Sequence, residues 1–475
     1  MNRLKHFTSI FALSLFVLSL QSATLIHSRL INVSKRNSSQ KVVMDSLLVK
    51  TETPEIDFSS MLDHLYASVD VKAIFANHDL MFKQHKRRQS FEFPGFEGEG
   101  KLPEIEDFSV ENDEIEKFEK SLENIQNSIS RVGFIGDSFI EGDILSCDVR
   151  EMMQEMFGGN GVGFVPTTSV AASFRGTIKH KYSGWESFNI KKKSSEAIDE
   201  KFIICSFYSK AQNVNAQMEY EITHSRNNLD KVTSLRYFFI SERASKIELL
   251  INDSISRSLT TEASTLMQSV ELSLDSCYIE RVKITIPSQK DFYSYGVSFE
   301  GGSGIYVDNF SDRGSSGMQL TKLSKEQCMM FDTLSGGYSL IVVQYGLNVM
   351  YAGQQNYTAY ENRMVKIVDD LREYYPNATL LVMGVSDRMI KQNGVYQPMS
   401  EIEAMERHQR QIAERCGVLF WSTYDAMQNY GGIKGFVERG WAAKDYTHIN
   451  NKGARVIAEQ LVASLYEKLK EKSKK

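Results

Sequence analysis

Two short runs of this sequence carry groups that could cleave an ester. One is Gly136-Asp137-Ser138, which follows an apolar run at 131–135. The other is Asp445-Tyr446-Thr447-His448. A serine hydroxyl attacks a carbonyl only if its proton is removed as it does so. An imidazole within hydrogen-bond reach does that work. A turn three residues long can bring the Asp445 carboxylate to the Nδ1–H of His448, where it would fix the tautomer and stabilise the imidazolium. The tetrahedral intermediate then needs donors aimed at its oxyanion, and backbone N–H groups or an Asn amide are suited to this. Asn348 and Gly317 occupy loop positions beside predicted strand ends, where such groups concentrate.

Other chemistry fits less well. An α/β-hydrolase elbow requires Gly-x-Ser-x-Gly, but Ile140 stands at the last position. The five cysteines (Cys147, Cys205, Cys277, Cys328 and Cys416) form no Cys-x-x-Cys pair or Cys/His cluster. No metal site and no cofactor are therefore expected, and buried free thiols are. His180, His224 and His408 have no acid or Cys at a ligand spacing and are assigned to surface or core. A net charge of −5 with no dominant basic face argues against nucleic acid as a partner.

The elements that must position these groups can be read from periodicity. Ile115, Phe118, Leu122 and Ile125 form one face of a helix over about 111–127, leading into a strand at 131–135. A Met-rich helical stripe from Ile144 to Phe157 follows and ends at the glycine cluster 158–163. From about 167 to 305 the period becomes two. Met218, Tyr220 and Ile222 alternate with polar neighbours, as do Val270, Leu272 and Leu274, and Val282, Ile284 and Ile286. This predicts an antiparallel β-sandwich. Its Trp185 and tyrosines could stack on sugar rings, although ordinary sandwich core is the plainer reading. Strands at 338–343, 379–385 and 418–421 then alternate with helices at 359–374 and 401–415 and a final helix after His448. Such alternation predicts an α/β domain with a covered parallel sheet, and the sandwich is an insertion into it.

The expected organisation is a signal peptide at 1–23, an N-terminal extension and linker at 24–105, a first α/β part at 106–166, an inserted sandwich at 167–305, and a second α/β part at 306–475. Arg3 and Lys5 precede an apolar run from Phe7 to Leu20, with Ser22 and Ala23 after it, which is the layout of a secretory signal. The run is short for a membrane span. Export to the periplasm or cell surface is expected, with membrane attachment only through an uncleaved N-terminus. With 42% apolar and 24% charged residues, 475 residues suffice for more than one core.

In their order along the chain, four blocks resemble those of the SGNH hydrolases, also called GDSL-type esterases: Gly136-Asp137-Ser138, Arg313-Gly314-Ser315-Ser316-Gly317, Gly346-Leu347-Asn348, and Asp445 to His448. The resemblance spans about 130–165 and 305–470. It implies a three-layer, flavodoxin-like fold and a serine hydrolase. Ser138 would be the nucleophile, with His448 and Asp445 as its partners. The oxyanion donors would be Ser138, Gly317 and Asn348, with Asp137 and Gly314 in support. Two positions depart from the family pattern. Phe139 stands where Leu is frequent, and Val349 stands where a polar or acidic residue usually follows the Asn. The second departure removes a usual support of Asn348.

A β-module between the first and second blocks resembles the arrangement in bacterial peptidoglycan and polysaccharide O-acetylesterases. By that analogy the reaction is removal of acetyl or other short acyl groups from a cell-wall or surface glycan. Three alternatives use or retain the same blocks: a glycan O-acetyltransferase, a lipase or thioesterase, and a catalytically inactive glycan-binding protein.

Overall fold

The computed structural model describes residues 100–475, apart from 111, 112, 193, 213, 214, 288, 289, 474 and 475. The expected signal segment and all but the end of the N-terminal extension lie outside the described residues.

The organising element is a six-stranded sheet. Its strands are β1 (Glu106–Asp107), β2 (Ile129–Gly136), β3 (Gly304–Ser311), β4 (Leu340–Gln344), β5 (Thr379–Met383) and β6 (Leu419–Trp421). The spatial order is β1-β6-β5-β4-β2-β3, with β1 antiparallel and the remainder parallel. Parallel strands covered on both faces read as unbroken apolar runs, and β4 and β5, Leu-Ile-Val-Val-Gln and Thr-Leu-Leu-Val-Met, are buried at every residue. The helices are α1 (Asp113–Leu122), α2 (Ser146–Phe157), α3 (Lys325–Ser335), α4 (Thr358–Tyr374), α5 (Glu401–Cys416), α6 (Thr423–Gln428), α7 (Gly432–Glu438) and α8 (Asn451–Ser473). Their stops are chemical. Gly336 and Gly417 take left-handed conformations after α3 and α5, satisfying carbonyls of the last turn. The five parallel strands follow the flavodoxin-like order, so the chain reverses direction across the sheet between β2 and its neighbours β3 and β4. Loops leaving the carboxyl ends of these strands frame the usual ligand crevice.

The insertion occupies the crossover from β2 to β3. One of its sheets has five strands in the order Ile255–Thr261, Ser245–Ile251, Arg281–Ile286, Ala216–Ile222 and Ile178–Ser183. The other runs Gln268–Ser273, Ser234–Ser241, Phe292–Glu300, Phe207–Ala211 and Trp185–Asn189, and all neighbours in both sheets are antiparallel. The strand Gly163–Pro166 pairs with Gly296–Phe299 of the second sheet. The sandwich therefore starts before residue 167, and Gly304 already belongs to the parallel sheet. Sequence reasoning set these borders at 167 and 305 because the glycine cluster at 158–163 hides the first strand's period.

The two domains share a core. Val165, Tyr237 and Phe239 face the interior of the sandwich. On the opposite face of the same sheet, Phe164, Phe238, Ile240, Tyr293 and Tyr295 join the core of the parallel domain. Phe164 packs against Phe310 of β3 at 5.4 Å and Phe331 of α3 at 5.7 Å, and Phe238 meets Phe331 at 5.0 Å. Burial on both faces explains why Phe292–Glu300 does not alternate: it is buried throughout. Trp185 packs against the sandwich core and donates Nε1–H to the Gln217 carbonyl at 3.0 Å, in accord with the plainer reading of it as core.

Two buried ion networks cross this seam. Arg131 of β2 donates to Asp308 of β3 at 3.0 Å and to Glu300 of the inserted sheet, and both carboxylates are buried. Asp308 also accepts from the Phe164 N–H at 2.7 Å and the Tyr338 hydroxyl at 2.7 Å. Asp143, in the loop after Ser138, accepts two 2.8 Å bonds from Arg150 of α2. From the insertion it also receives Arg175 at 3.2 Å and Thr177 at 2.7 Å. Entry and exit of the insertion cross at a narrow neck. A Cβ on Gly304 would lie 2.1 Å from the Gly159 nitrogen, and the Ile305 N–H donates to the Gly158 carbonyl at 3.0 Å.

Candidate active site

Strands β3, β2 and β4 lie side by side, and Gly136 is in register with both Ser311 and Gln344. The three strands thus end level, and their outgoing loops begin together. A Cβ on Gly136 would lie 2.7 Å from the Gln344 carbonyl oxygen, so glycine is what lets β2 turn out at this point. Asp137 and Ser138 follow directly, Asp312 to Gly317 leave β3, and Tyr345 to Asn348 leave β4.

His448 arrives from the opposite side, just before α8. Trp441 to Asn450 form a tight hairpin. The Ala443 N–H donates to the His448 carbonyl at 2.8 Å and the Asn450 N–H to the Trp441 carbonyl at 2.9 Å. Tyr446 takes a left-handed φ of 53° at its tip. That tip is clamped by the two-stranded hairpin Met389–Gln392 and Val395–Pro398. The Met389 N–H bonds the Tyr446 carbonyl at 3.0 Å, and the rings of Tyr396 and Tyr446 lie 4.6 Å apart. Asn450 Oδ1 accepts from the Lys452 and Gly453 N–H groups, starting α8 immediately after the histidine.

Ser138 Oγ lies 3.3 Å from His448 Nε2, and His448 Nδ1 lies 2.8 Å from Asp445 Oδ2. Because Nδ1 faces a carboxylate it carries the proton, which leaves Nε2 as an acceptor toward the serine. The other Asp445 oxygen accepts the N–H groups of Thr447 at 3.0 Å and His448 at 3.1 Å. Partial burial works against the Asp445 charge, but these three hydrogen bonds and the imidazole outweigh it and hold the carboxyl below its usual range. Side chains of both residues are nearly half exposed, 48% and 46%, so the dyad faces an open surface.

The remaining residues singled out in the sequence gather around Ser138. Asn348 Nδ2 donates to Asp137 Oδ2 at 3.0 Å and to the Ser315 carbonyl at 3.0 Å. Asp137 Oδ1 accepts the Phe139 N–H at 2.9 Å. Burial pushes the Asp137 carboxyl up to about 7, and the bonds from Phe139 and Asn348 offset this only partly. The Gly317 N–H donates to Ser315 Oγ at 3.2 Å. Gly317 has φ +79°, and a Cβ there would meet the Tyr345 ring at 2.8 Å. Gly314 takes φ +73° with open space around it, so its backbone conformation, not crowding, calls for glycine.

Val349 leaves Asn348 less bare than its apolar character suggests. Beyond Asp137 and Ser315, Arg388 donates to the carbonyls of Leu347 at 3.1 Å and Met350 at 3.3 Å, bracketing the asparagine. Sequence reasoning passed over Arg388 and Ser315 because neither lies in a block position with a side-chain role. One other expectation is corrected. Cys277 is exposed while the other four thiols are buried, since it sits in the turn after the edge strand Gln268–Ser273. His408 is mostly buried, and its Nδ1 meets Glu361 on α4 at 2.6 Å, a contact between helices that local spacing does not reveal.

No protein-family model and no curated protein matches the chain. Among solved structures, a peptidoglycan O-acetylesterase superposes over 77% of this chain and 99% of its own length, with a TM-score of 0.62 at 19% identity. A GDSL-like lipase from Parabacteroides merdae aligns over 34% of this chain and 73% of its own, with a TM-score of 0.26 at 17% identity. A family two carbohydrate esterase from Cellvibrio japonicus aligns over 62% and 98%, with a TM-score of 0.24 at 10% identity. The first of these likenesses, together with the strand order, shows the fold: a flavodoxin-like parallel-sheet domain with an antiparallel β-module inserted in its first crossover.

Proposed function

We propose that this protein is an exported serine esterase that removes O-acetyl or other short acyl groups from a cell-wall or surface glycan. The reading is carried by one observation: the continuous line from Ser138 Oγ through His448 to Asp445, set at the carboxyl ends of parallel strands. In this reading His448 Nε2 takes the Ser138 proton as Oγ attacks the ester carbonyl. The 3.3 Å separation tightens when substrate is bound. The Asp445 carboxylate stabilises the imidazolium. The Ser138 and Gly317 N–H groups and the Asn348 amide would stabilise the oxyanion. The imidazolium then gives its proton to the departing sugar oxygen, which leaves as a hydroxyl, and water activated by the same imidazole releases the acyl group from Ser138.

The half-exposed dyad favours an ester borne on a bulky polymer. The likeness to a peptidoglycan O-acetylesterase extends over the inserted module as well as the parallel domain, which supports a glycan substrate. The apolar run at 7–20 supports export to the periplasm or cell surface.

The test is turnover of p-nitrophenyl acetate by the chain from about residue 24, compared with Ser138→Ala and His448→Ala. Both variants should lose several orders of magnitude, as members of one catalytic unit do. Activity that survives Ser138→Ala overturns the assignment. Acetylated glycan then separates the related chemistries. Free acetate indicates an esterase, acetate moved to an added glycan acceptor a transferase, and preference for long acyl chains a lipase. Glycan binding without turnover indicates an inactive site.

A further inference from the structure

The loop from Asp312 to Gly317 is fixed by the inserted module as well as by its own domain. Strand Trp185–Asn189 is the edge of the inserted sheet, and Phe188 and Ile190 anchor its end in the shared core. From there Asn189 Nδ2 donates to Asp312 Oδ1 at 2.9 Å, and Lys191 Nζ reaches the same oxygen at 2.9 Å. Lys191 also donates to the Arg313 carbonyl, and Asn189 Oδ1 steadies the turn by accepting the Lys191 N–H at 2.8 Å.

Asp312 is buried, and its other oxygen has no hydrogen-bond partner among the described residues. Both bonds to the carboxylate therefore come from the module. Asp312 in turn organises the loop. Its N–H bonds the Gly136 carbonyl at 2.8 Å and its carbonyl accepts the Ser315 N–H at 3.0 Å. Ser315 then holds Gly317 through Oγ and Asn348 through its carbonyl. A contiguous chain of contacts thus runs from Lys191 to both candidate oxyanion donors.

We propose that Lys191, with Asn189, is a positioning residue: through Asp312 the inserted module sets the loop that presents Gly317 and Asn348 to the substrate. The inference rests on the esterase reading for its catalytic consequence and on the contacts alone for the bracing. Burial raises the Asp312 carboxyl above its usual range, and Lys191 is the largest offset to that rise. Removing Lys191 leaves a buried carboxylate held by one neutral amide, which favours loosening of the loop.

The experiment uses the same chain with Lys191→Met and Lys191→Arg. Hydrogen–deuterium exchange over residues 312–318 should quicken in Lys191→Met and return toward wild type in Lys191→Arg. With p-nitrophenyl acetate, kcat should fall about ten-fold in Lys191→Met with KM within two-fold, less than the loss of a whole oxyanion donor. The arginine variant should recover most of it, and Tm should fall in Lys191→Met, which strands the buried Asp312 carboxylate, but much less in Lys191→Arg. Unchanged exchange overturns the proposal whatever the activity. Quicker exchange with unchanged kcat also overturns it, as does an equal fall of kcat and Tm in both variants. If wild type has no ester turnover, the esterase reading falls, and exchange in the 312–318 segment still decides the bracing.

Discussion

Replacing Asp445 by Asn isolates the tautomer argument. One Asp445 oxygen accepts two backbone N–H groups and the other faces His448 Nδ1. In Asp445→Asn the amide oxygen must keep the two backbone donors, because an NH2 group cannot accept them. The NH2 then points at Nδ1, which must become the acceptor, and the proton moves to Nε2, where it opposes deprotonation of Ser138. Restoring the active tautomer means turning the amide over and giving up two hydrogen bonds. At about 1 kcal/mol each this comes to about 2 kcal/mol. Loss of the charge that steadies the imidazolium adds between about 1 and 4 kcal/mol for charge centres about 4 Å apart, according to how far water screens them. With 1.4 kcal/mol per ten-fold, kcat should drop by about 10²–10⁴. Asp445→Ala loses the charge but imposes no wrong tautomer, so it should be no worse than Asp445→Asn. The assay is kcat on saturating p-nitrophenyl acetate, with circular dichroism to establish that both variants fold. A loss below ten-fold in Asp445→Asn, or an alanine variant clearly worse than it, refutes the reasoning.

Three further outcomes follow from the geometry. Asn348→Ala removes a candidate oxyanion donor and should lower kcat by about 10²–10³ with little change in Tm; an unchanged kcat would remove Asn348 from the site. Arg131→Met leaves Glu300 and Asp308 buried without their cation and should destabilise the protein by about 3–5 kcal/mol in urea unfolding. A cost under 1 kcal/mol would contradict the network drawn here. Asp137 should make stability depend on pH. Its folded pKa of about 7 lies above the unfolded 3.8, so its contribution is complete below pH 4 and is lost as pH rises through 7. The full span is about 4 kcal/mol. The difference in urea stability between wild type and Asp137→Asn should therefore change steadily from about pH 4 to pH 7 and level off above it, and a constant difference argues against the raised pKa.

What could be read in the sequence and what could not divide along a physical line. Features set by neighbours in the chain were legible: the alternation of Met218, Tyr220 and Ile222, the apolar runs of β4 and β5, and the Asp445 to His448 turn. The order of the four blocks also led to the residues that converge. What was missed depends on partners far along the chain. Arg131 looks like a blemish in an apolar strand until Glu300 and Asp308 stand beside it. Asn189 and Lys191 look like a solvated turn until Asp312 closes on them. The strand Gly163–Pro166 lay hidden in a glycine-rich stretch, because its pairing with Gly296–Phe299 leaves no local period.

The neck at Gly158, Gly159 and Gly304 has a consequence for the order of folding. β2 and β3 are neighbours in the sheet, yet 175 residues of chain separate their facing positions, and closing so long a loop is slow when it is unstructured. The antiparallel module consists mainly of nearer pairings and brings its own two ends together at the neck. Once it has collapsed, β3 is delivered beside β2 almost without further search. Until then β2 has an open edge able to recruit strands from other molecules. In a nascent chain, the module would therefore act first as a scaffold for assembling the sheet, before Lys191 meets Asp312.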